Sequence, residues 1–184
     1  MTFEQADGGR ANPNFGKGKA YERNCQSSVV AHEARIRGYN VQAAPNYETG
    51  KTNELAHAPF RAWLNPITGR ECKGTKLISS RAYDLYTTLN DTVKKGQRYH
   101  FEYFAYSIKY SATVGHIVTL DRDKNGNLRL YDPQNNKTFI DKEVIDYIEA
   151  RGIYLEDATL CPQILRVDNK SFNPYYINDV LKKY

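Results

Sequence analysis

The sequence commits itself most firmly at Asn125-Gly126. This dipeptide separates two short apolar runs, 116–120 (HIVTL) and 128–132 (LRLYD). Asn-Gly between alternating apolar runs is the strongest short-range signal for a β-hairpin. The segment 98–108 (RYHFEYFAYSI) is dense in aromatic residues that suit a pleated surface, and 161–167 predicts a last strand. Upstream the pattern is helical. Residues 25–37 (CQSSVVAHEARIR) carry Val29, Val30, Ala34 and Ile36 at helical spacing, with Asn24 as N-cap and Gly38 as stop. Residues 80–95 predict a second helix, with Leu85, Leu89 and Val93 four apart, and 141–151 a third. Residues 39–44 predict a short strand. The stretch 45–80 holds Pro45, Pro59 and Pro66 and reads as turns and loops, with Asn65–Gly69 a tight turn. A helix first and antiparallel strands later argue an α+β fold.

The 184 residues suffice for one domain with a real core, and no repeat or charge block marks a second. Residues 1–20, rich in Gly and Asn, predict an extended or flexible arm. No apolar run approaches a membrane span, and MTFEQADGGRANPN has no apolar core of a secretory leader. Three cysteines make a disulfide framework a poor expectation, so a reducing cytoplasm is the expected site of action. The net charge is +5. Segment 61–98 holds eight basic and three acidic residues, so it carries the whole excess. That mild charge argues against nucleic acid and points to an acidic protein substrate docking near 61–98. The plainer alternative is a solvated basic face. Most of the 15 tyrosines are expected to line a half-buried sheet with hydroxyls at its wet edge.

Cys25 is the first candidate for chemistry. A thiol at a helix start lies beside unsatisfied backbone N–H groups at the positive end of the macrodipole, where an anionic sulfur is favoured. The bland reading is a small buried hydrophobe. A nucleophile needs a base and a group to orient that base. Of four histidines, His32 lies nearly two turns along the same helix, His57 falls in the proline-bearing loop region, and His100 starts a strand. His116 follows Gly115 at the head of a strand, and Asp132 lies across the hairpin. An even-length loop about Asn125-Gly126 would set Asp132 opposite Thr119, on the other side of the sheet from His116. Cooperation of the two therefore requires an odd-length loop with Gly126 left-handed, a bulge, or departure of Asp132 from the strand at Pro133. The run 121–132 also begins like a calcium loop, but strands rather than helices flank it. Cys72 and Cys161 have no partner at metal-ligand spacing, and no metal site or cofactor is expected.

The stretch 24–41 (NCQSSVVAHEARIRGYNV), with Gly115-His116-Ile117-Val118 and Tyr131-Asp132-Pro133-Gln134, resembles the motifs of papain-fold toxin domains that are glutamine deamidases. It is also similar to domains at the ends of phage head-morphogenesis proteins. The resemblance spans about residues 10–140. It implies a papain-like fold in which the nucleophile-bearing N-terminal helix packs on an antiparallel β-sheet. It implies Cys25 as nucleophile, His116 as general base and Asp132 as orienting acid. It further implies a bacterial effector or toxin, or a phage-associated domain, exported by a specialised secretion system or carried in a virion. An immunity protein or a virion component would then be a partner. Two positions depart from these families. Ser28 stands where a second cysteine is frequent, and Lys19 stands where papain-like peptidases carry the oxyanion glutamine. The backbone N–H of Cys25, with Asn24 or Gln26, is the expected substitute, and Gln134 is expected at the substrate position. The implied chemistry is hydrolysis of a glutamine carboxamide through a thioester. A peptidase, a transglutaminase or a non-catalytic interaction module are the alternatives.

Overall fold

The computed structural model describes residues 3–6 and 10–184. In chain order the elements are α1 (Phe3–Ala6), α2 (Cys25–Ile36), β1 (Val41–Ala43), α3 (Gly50–His57), β2 (Trp63–Leu64), β3 (Thr75–Lys76) and α4 (Ala82–Thr92). There follow β4 (Tyr99–Ser107), β5 (Ala112–Arg122), β6 (Leu128–Asp132), β7 (Lys137–Ile140), α5 (Glu143–Arg151), β8 (Gln163–Arg166), β9 (Ser171–Phe172), α6 (Pro174–Val180) and β10 (Leu181–Lys183). The fold is α+β, as the order of patterns predicts, and every pairing given between its strands is antiparallel. The chain divides into two compact units: 1–73 with 132–137 and 169–184, and 74–131 with 138–168. Among the described residues no helix is long and apolar enough to cross a membrane.

The first unit is organised about α2. Its residues from Gln26 to Arg35 are all buried, polar ones included, so the helix is a core element rather than an amphipathic surface one. Glu33 accepts from Arg37 one turn on, at 2.8 Å, and the Arg35 guanidinium donates to the carbonyls of Ala6 and Val41. Each buried charge of α2 therefore has its partner. Helix α2 packs beside the antiparallel ribbon of β1 and β10, where Val41–Ala43 pair with Leu181–Lys183. The segment 10–20 is not simply an arm, because Ala11 and Asn12 are buried and the Ala11 carbonyl accepts from the Ala43 amide. The structure also departs from the sequence pattern at two helices. Residues 50–57, expected as loop, form α3, so His57 ends a helix. Only Thr52 and Leu55 of that helix are buried, too few to print a helical period. Helix α6, whose N-cap Asn173 accepts from the Tyr175 amide through its side chain, is the second.

The second unit holds a six-stranded sheet in the order β3-β8-β4-β5-β6-β7, the last residue of β6 and the first of β7 belonging to the first unit. One face carries the core. Tyr99, Phe101 and Tyr103 of β4, Val118 and Leu120 of β5, and Leu128 and Leu130 of β6 meet Leu85, Leu89 and Val93 from the α4 segment and Val144 and Ile148 from α5. The four-residue spacing read from the sequence is the buried stripe. Tyr103 and Tyr147 depart from the wet-edge expectation: both are buried, and their hydroxyls satisfy each other at 2.8 Å.

The hairpin register decides the loop question. Thr119 pairs with Tyr131, Leu120 with Leu130, Asp121 with Arg129 and Arg122 with Leu128. The intervening loop 123–127 has an odd number of residues, and Gly126 sits at φ 86°, in the left-handed region. The aspartates of the hairpin bond within the fold. Asp123 accepts from the amides of Asn125 and Asn127, and Asp121 forms a two-bond pair with its cross-strand partner Arg129, at 2.8 and 2.6 Å. Among the described residues no group of His, Cys, Asp and Glu is placed to hold a metal ion.

Candidate active site

Cys25 is the first residue of α2, as the sequence predicts, and it is half-buried. The amides of a first helical turn have no acceptor within the helix, so they are donors available to a group seated at that end. The sulfur lies 3.6 Å from the carboxamide oxygen of Gln26, whose nitrogen donates to the Thr52 carbonyl at 2.9 Å. Gln26 thus turns an acceptor rather than a donor toward the thiol. That placement weakens its expected part in binding an oxyanion.

Asn24, expected to cap the helix and assist the oxyanion, turns its side chain to other partners. It makes no side-chain cap. Fully buried, it donates to Asn12 Oδ1 and to the Ala44 carbonyl, each at 3.1 Å, which uses both amide hydrogens. Its oxygen accepts from Asn12 at 3.2 Å and from Gln134 at 3.3 Å. The two asparagines therefore form a reciprocal amide pair. Asn12 Nδ2 also reaches the Tyr21 carbonyl at 3.0 Å and the Gln134 carbonyl at 2.9 Å. Asn12 is the site residue that sequence reasoning missed, because one asparagine in a stretch of Gly, Asn and Pro carries no period and no motif.

Asp132 belongs to the same network. It is fully buried, and its carboxylate accepts from the Gln134 amide and from Asn135 Nδ2, both at 3.0 Å. The first of these is an Asx-turn, the local bond that aspartate favours where a strand ends. Pro133 follows and stops the strand, and Asn136 takes the left-handed φ of 58° that asparagine tolerates. Within the first unit the structure thus gathers Asn24, Asp132 and Gln134 of the predicted residues. All three are tied to Asn12, directly or through Gln134, and Asn24 is the residue before Cys25.

His116 lies in the second unit, on β5, half-buried. Tyr103, its partner across the β4–β5 ladder, presents its ring edge-on with centroids 5.7 Å apart. The Tyr103 hydroxyl is fixed by Tyr147, whose ring is in turn covered by Arg151 at 3.6 Å. Gly115 has a structural reason beside His116: the Phe104 ring lies where a side chain would begin, 3.0 Å from the position of a Cβ. His32, on α2, is buried edge-on against Phe3 and serves packing. Cys161 is buried and Cys72 half-buried, with burial raising the Cys72 thiol above its ordinary pKa, against the influence of Lys170.

Residues 23–137 match the family model described as papain fold toxin 1, glutamine deamidase. The chain belongs to this family. The match begins two residues before Cys25 and ends beyond Gln134, so it takes in each predicted site residue. A search of curated proteins found no match. Membership supports the papain-like fold and a deamidase-type hydrolase family.

Proposed function

We propose that this protein is a cysteine-dependent deamidase of protein glutamine side chains, with Cys25 as nucleophile, His116 as general base and Asp132 as the carboxylate that orients it. The observation that carries the reading is Cys25 as the first residue of a buried helix, within a family of glutamine deamidases. The Cys25 thiolate attacks the carboxamide carbon, and the oxyanion is held by backbone donors of the first helical turn, the Cys25 amide among them. His116 protonates the departing ammonia, then takes a proton from the water that hydrolyses the thioester, leaving glutamate and free thiol. Asp132 is suited to its part because local donors already hold its carboxylate in one orientation.

The toxin description of the family and three free cysteines support action in a reducing cytoplasm. The excess of basic residues in 61–98 supports an acidic protein substrate. Ammonia release and intact-mass analysis on candidate acidic proteins test the reaction. We expect exchange of –NH2 for –OH without chain cleavage, lost by about 10³-fold or more in Cys25→Ala. Peptide fragments instead of intact product would make it a peptidase. Iodoacetamide labelling of Cys25 no faster than free cysteine, and unchanged in His116→Ala, would leave a non-catalytic module.

A further inference from the structure

Strand β5 outruns one of its two neighbours. Its ladder with β4 keeps unbroken register from Leu120 opposite Tyr99 to Ala112 opposite Ser107, whereas β6 pairs with it only over Thr119–Arg122. Among the described residues no strand pairs with 112–118 on that outer side. The register tells which main-chain groups point there. The Tyr154 amide donates to the Phe104 carbonyl on the far side of β4, so even-numbered β4 residues turn their main-chain groups away from β5. Odd-numbered ones, Tyr103 and Ala105 among them, bond to His116 and Val114. Thr113 and Gly115 therefore aim N–H and C=O at the open side, and both residues are exposed. The Asp123 amide, in the same odd series, accordingly donates to the Asn127 carbonyl across the β5–β6 hairpin. Natural sheets guard an open edge with charge, proline or a bulge. The run 111–118 (SATVGHIV) carries no Lys, Arg, Asp, Glu or Pro, and its register holds no bulge.

We propose that this edge takes up an extended segment of the substrate protein as an added antiparallel strand, with the target glutamine opposite His116. The inference rests on the deamidase reading and names how that enzyme holds its substrate. Open main-chain donors and acceptors along a strand match an extended polypeptide, which offers the same groups at the same spacing. Antiparallel addition sits in line with β6, which pairs with β5 in that sense. With the glutamine as residue n, n+1 then faces Gly115 and n+3 faces Thr113, each pair exchanging two main-chain hydrogen bonds. The amides of n and n+2 point away from β5. The glutamine side chain falls on the sheet face of His116, and the n+1 side chain on the opposite face, that of Gly115. Gly115 has no side chain there and the Phe104 ring lies over it, so an apolar n+1 side chain meets an aromatic surface. A second copy of the chain paired along this edge would cover His116, which the reaction needs open.

The test uses the full chain as Cys25→Ala and a fluorescein-labelled peptide, Gly-Gly-Gln-Leu-Thr-Val-Thr, followed by anisotropy. Leucine is then n+1, threonine n+2 and valine n+3. N-methylation of the leucine or the valine removes a donor aimed at β5 and is expected to weaken binding about tenfold. N-methylation of the threonine between them spares the ladder and is expected to change affinity by less than about twofold. On the protein side, Thr113→Pro removes an edge amide that the β4 ladder does not use, and is expected to weaken the parent peptide about tenfold. Circular dichroism checks that this variant remains folded. A loss that does not alternate along the peptide, a Thr113→Pro chain that binds as before, or no saturable binding of the parent peptide would overturn the added strand. So would sedimentation as a dimer that Thr113→Pro dissociates, which would give the edge to a second copy. Ammonia release by the unmutated chain separates the two readings. Release that N-methylation at n+1 does not slow overturns the added strand and leaves the deamidase. Alternating binding without release upholds the strand and counts against the deamidase.

Discussion

The surroundings of the candidate residues differ between the two units. Around Asn12 in the first unit, carboxamides and the Asp132 carboxylate satisfy one another and the backbone, with Asn12, Asn24, Asp132 and Gln134 all buried. The second unit is held by a continuous apolar layer between its sheet and α4 and α5. Apolar burial is non-directional and forgiving of small shifts, whereas a buried polar network rewards one geometry and penalises the rest. Cys25, the nucleophile in the proposed reaction, stands next to the polar network, and such a group requires fixed geometry. The apolar layer instead backs the strand that carries His116.

If that contrast holds, Leu89→Ala has the largest effect. Leu89 is fully buried in the layer, and truncation removes transfer energy and leaves a cavity, costing about 3–4 kcal/mol. Urea unfolding measures it, and hydrogen exchange locates it. Protection is expected to fall across β4, β5 and α5 and to hold in α2. A uniform loss over both units would erase the distinction.

Asn12→Ala follows at roughly 3 kcal/mol, since it strands the Asn24 amide and the Tyr21 and Gln134 carbonyls in a buried place. The expected pattern is the reverse: α2 and β1 lose protection and the Leu89 layer keeps it. Deamidase activity should fall further than stability, because Asn24 and Gln134 lose their common anchor. Asn12→Asp discriminates geometry from charge, as it keeps the acceptor and loses the donors. Near-normal activity in either variant would show that the pair does not position Cys25.

The uneven legibility of the sequence follows the same division. Helix α4 is legible because burial on one side writes a period, α2, buried all round, because its apolar residues run without proline between Asn24 and Gly38, β4 because its aromatic residues favour a sheet, and β5 and β6 because Asn-Gly writes the turn between them. Cys25, His116 and Asp132 stand out through residue type and motif context. Asn12, the pairing of β1 with β10 and helix α3 are not legible, because each depends on residues distant in sequence and none has a periodic pattern. The capping role expected of Asn24 fails for a related reason. An asparagine before a helix reads as a cap, yet its true partners, Asn12 and Ala44, lie 12 and 20 residues away.

Glu102 gives the smallest of these effects and the opposite sign. It lies on β4, beside Tyr103 but on the other face, paired in register with Ile117 and Gln163. It is nine-tenths buried, and burial alone pushes its carboxyl from 4.5 to about 7. A raised acid stays protonated in the folded chain while the unfolded chain ionises. The stability contributed by Glu102 is therefore greatest below about pH 4.5 and declines as pH climbs through 7, by on the order of 2–3 kcal/mol. Glu102→Gln keeps the shape and removes the titration, so it should be more stable than the parent at pH 8 and nearly equal to it at pH 4.5. Urea midpoints at the two pH values measure the difference. The Asn12–Asn24 pair carries no titrating group, so the cost of Asn12→Ala should be the same at both. A Glu102→Gln gain that did not depend on pH would trace the difference to packing instead of ionisation, since the amide would then fit this position better than the protonated acid does.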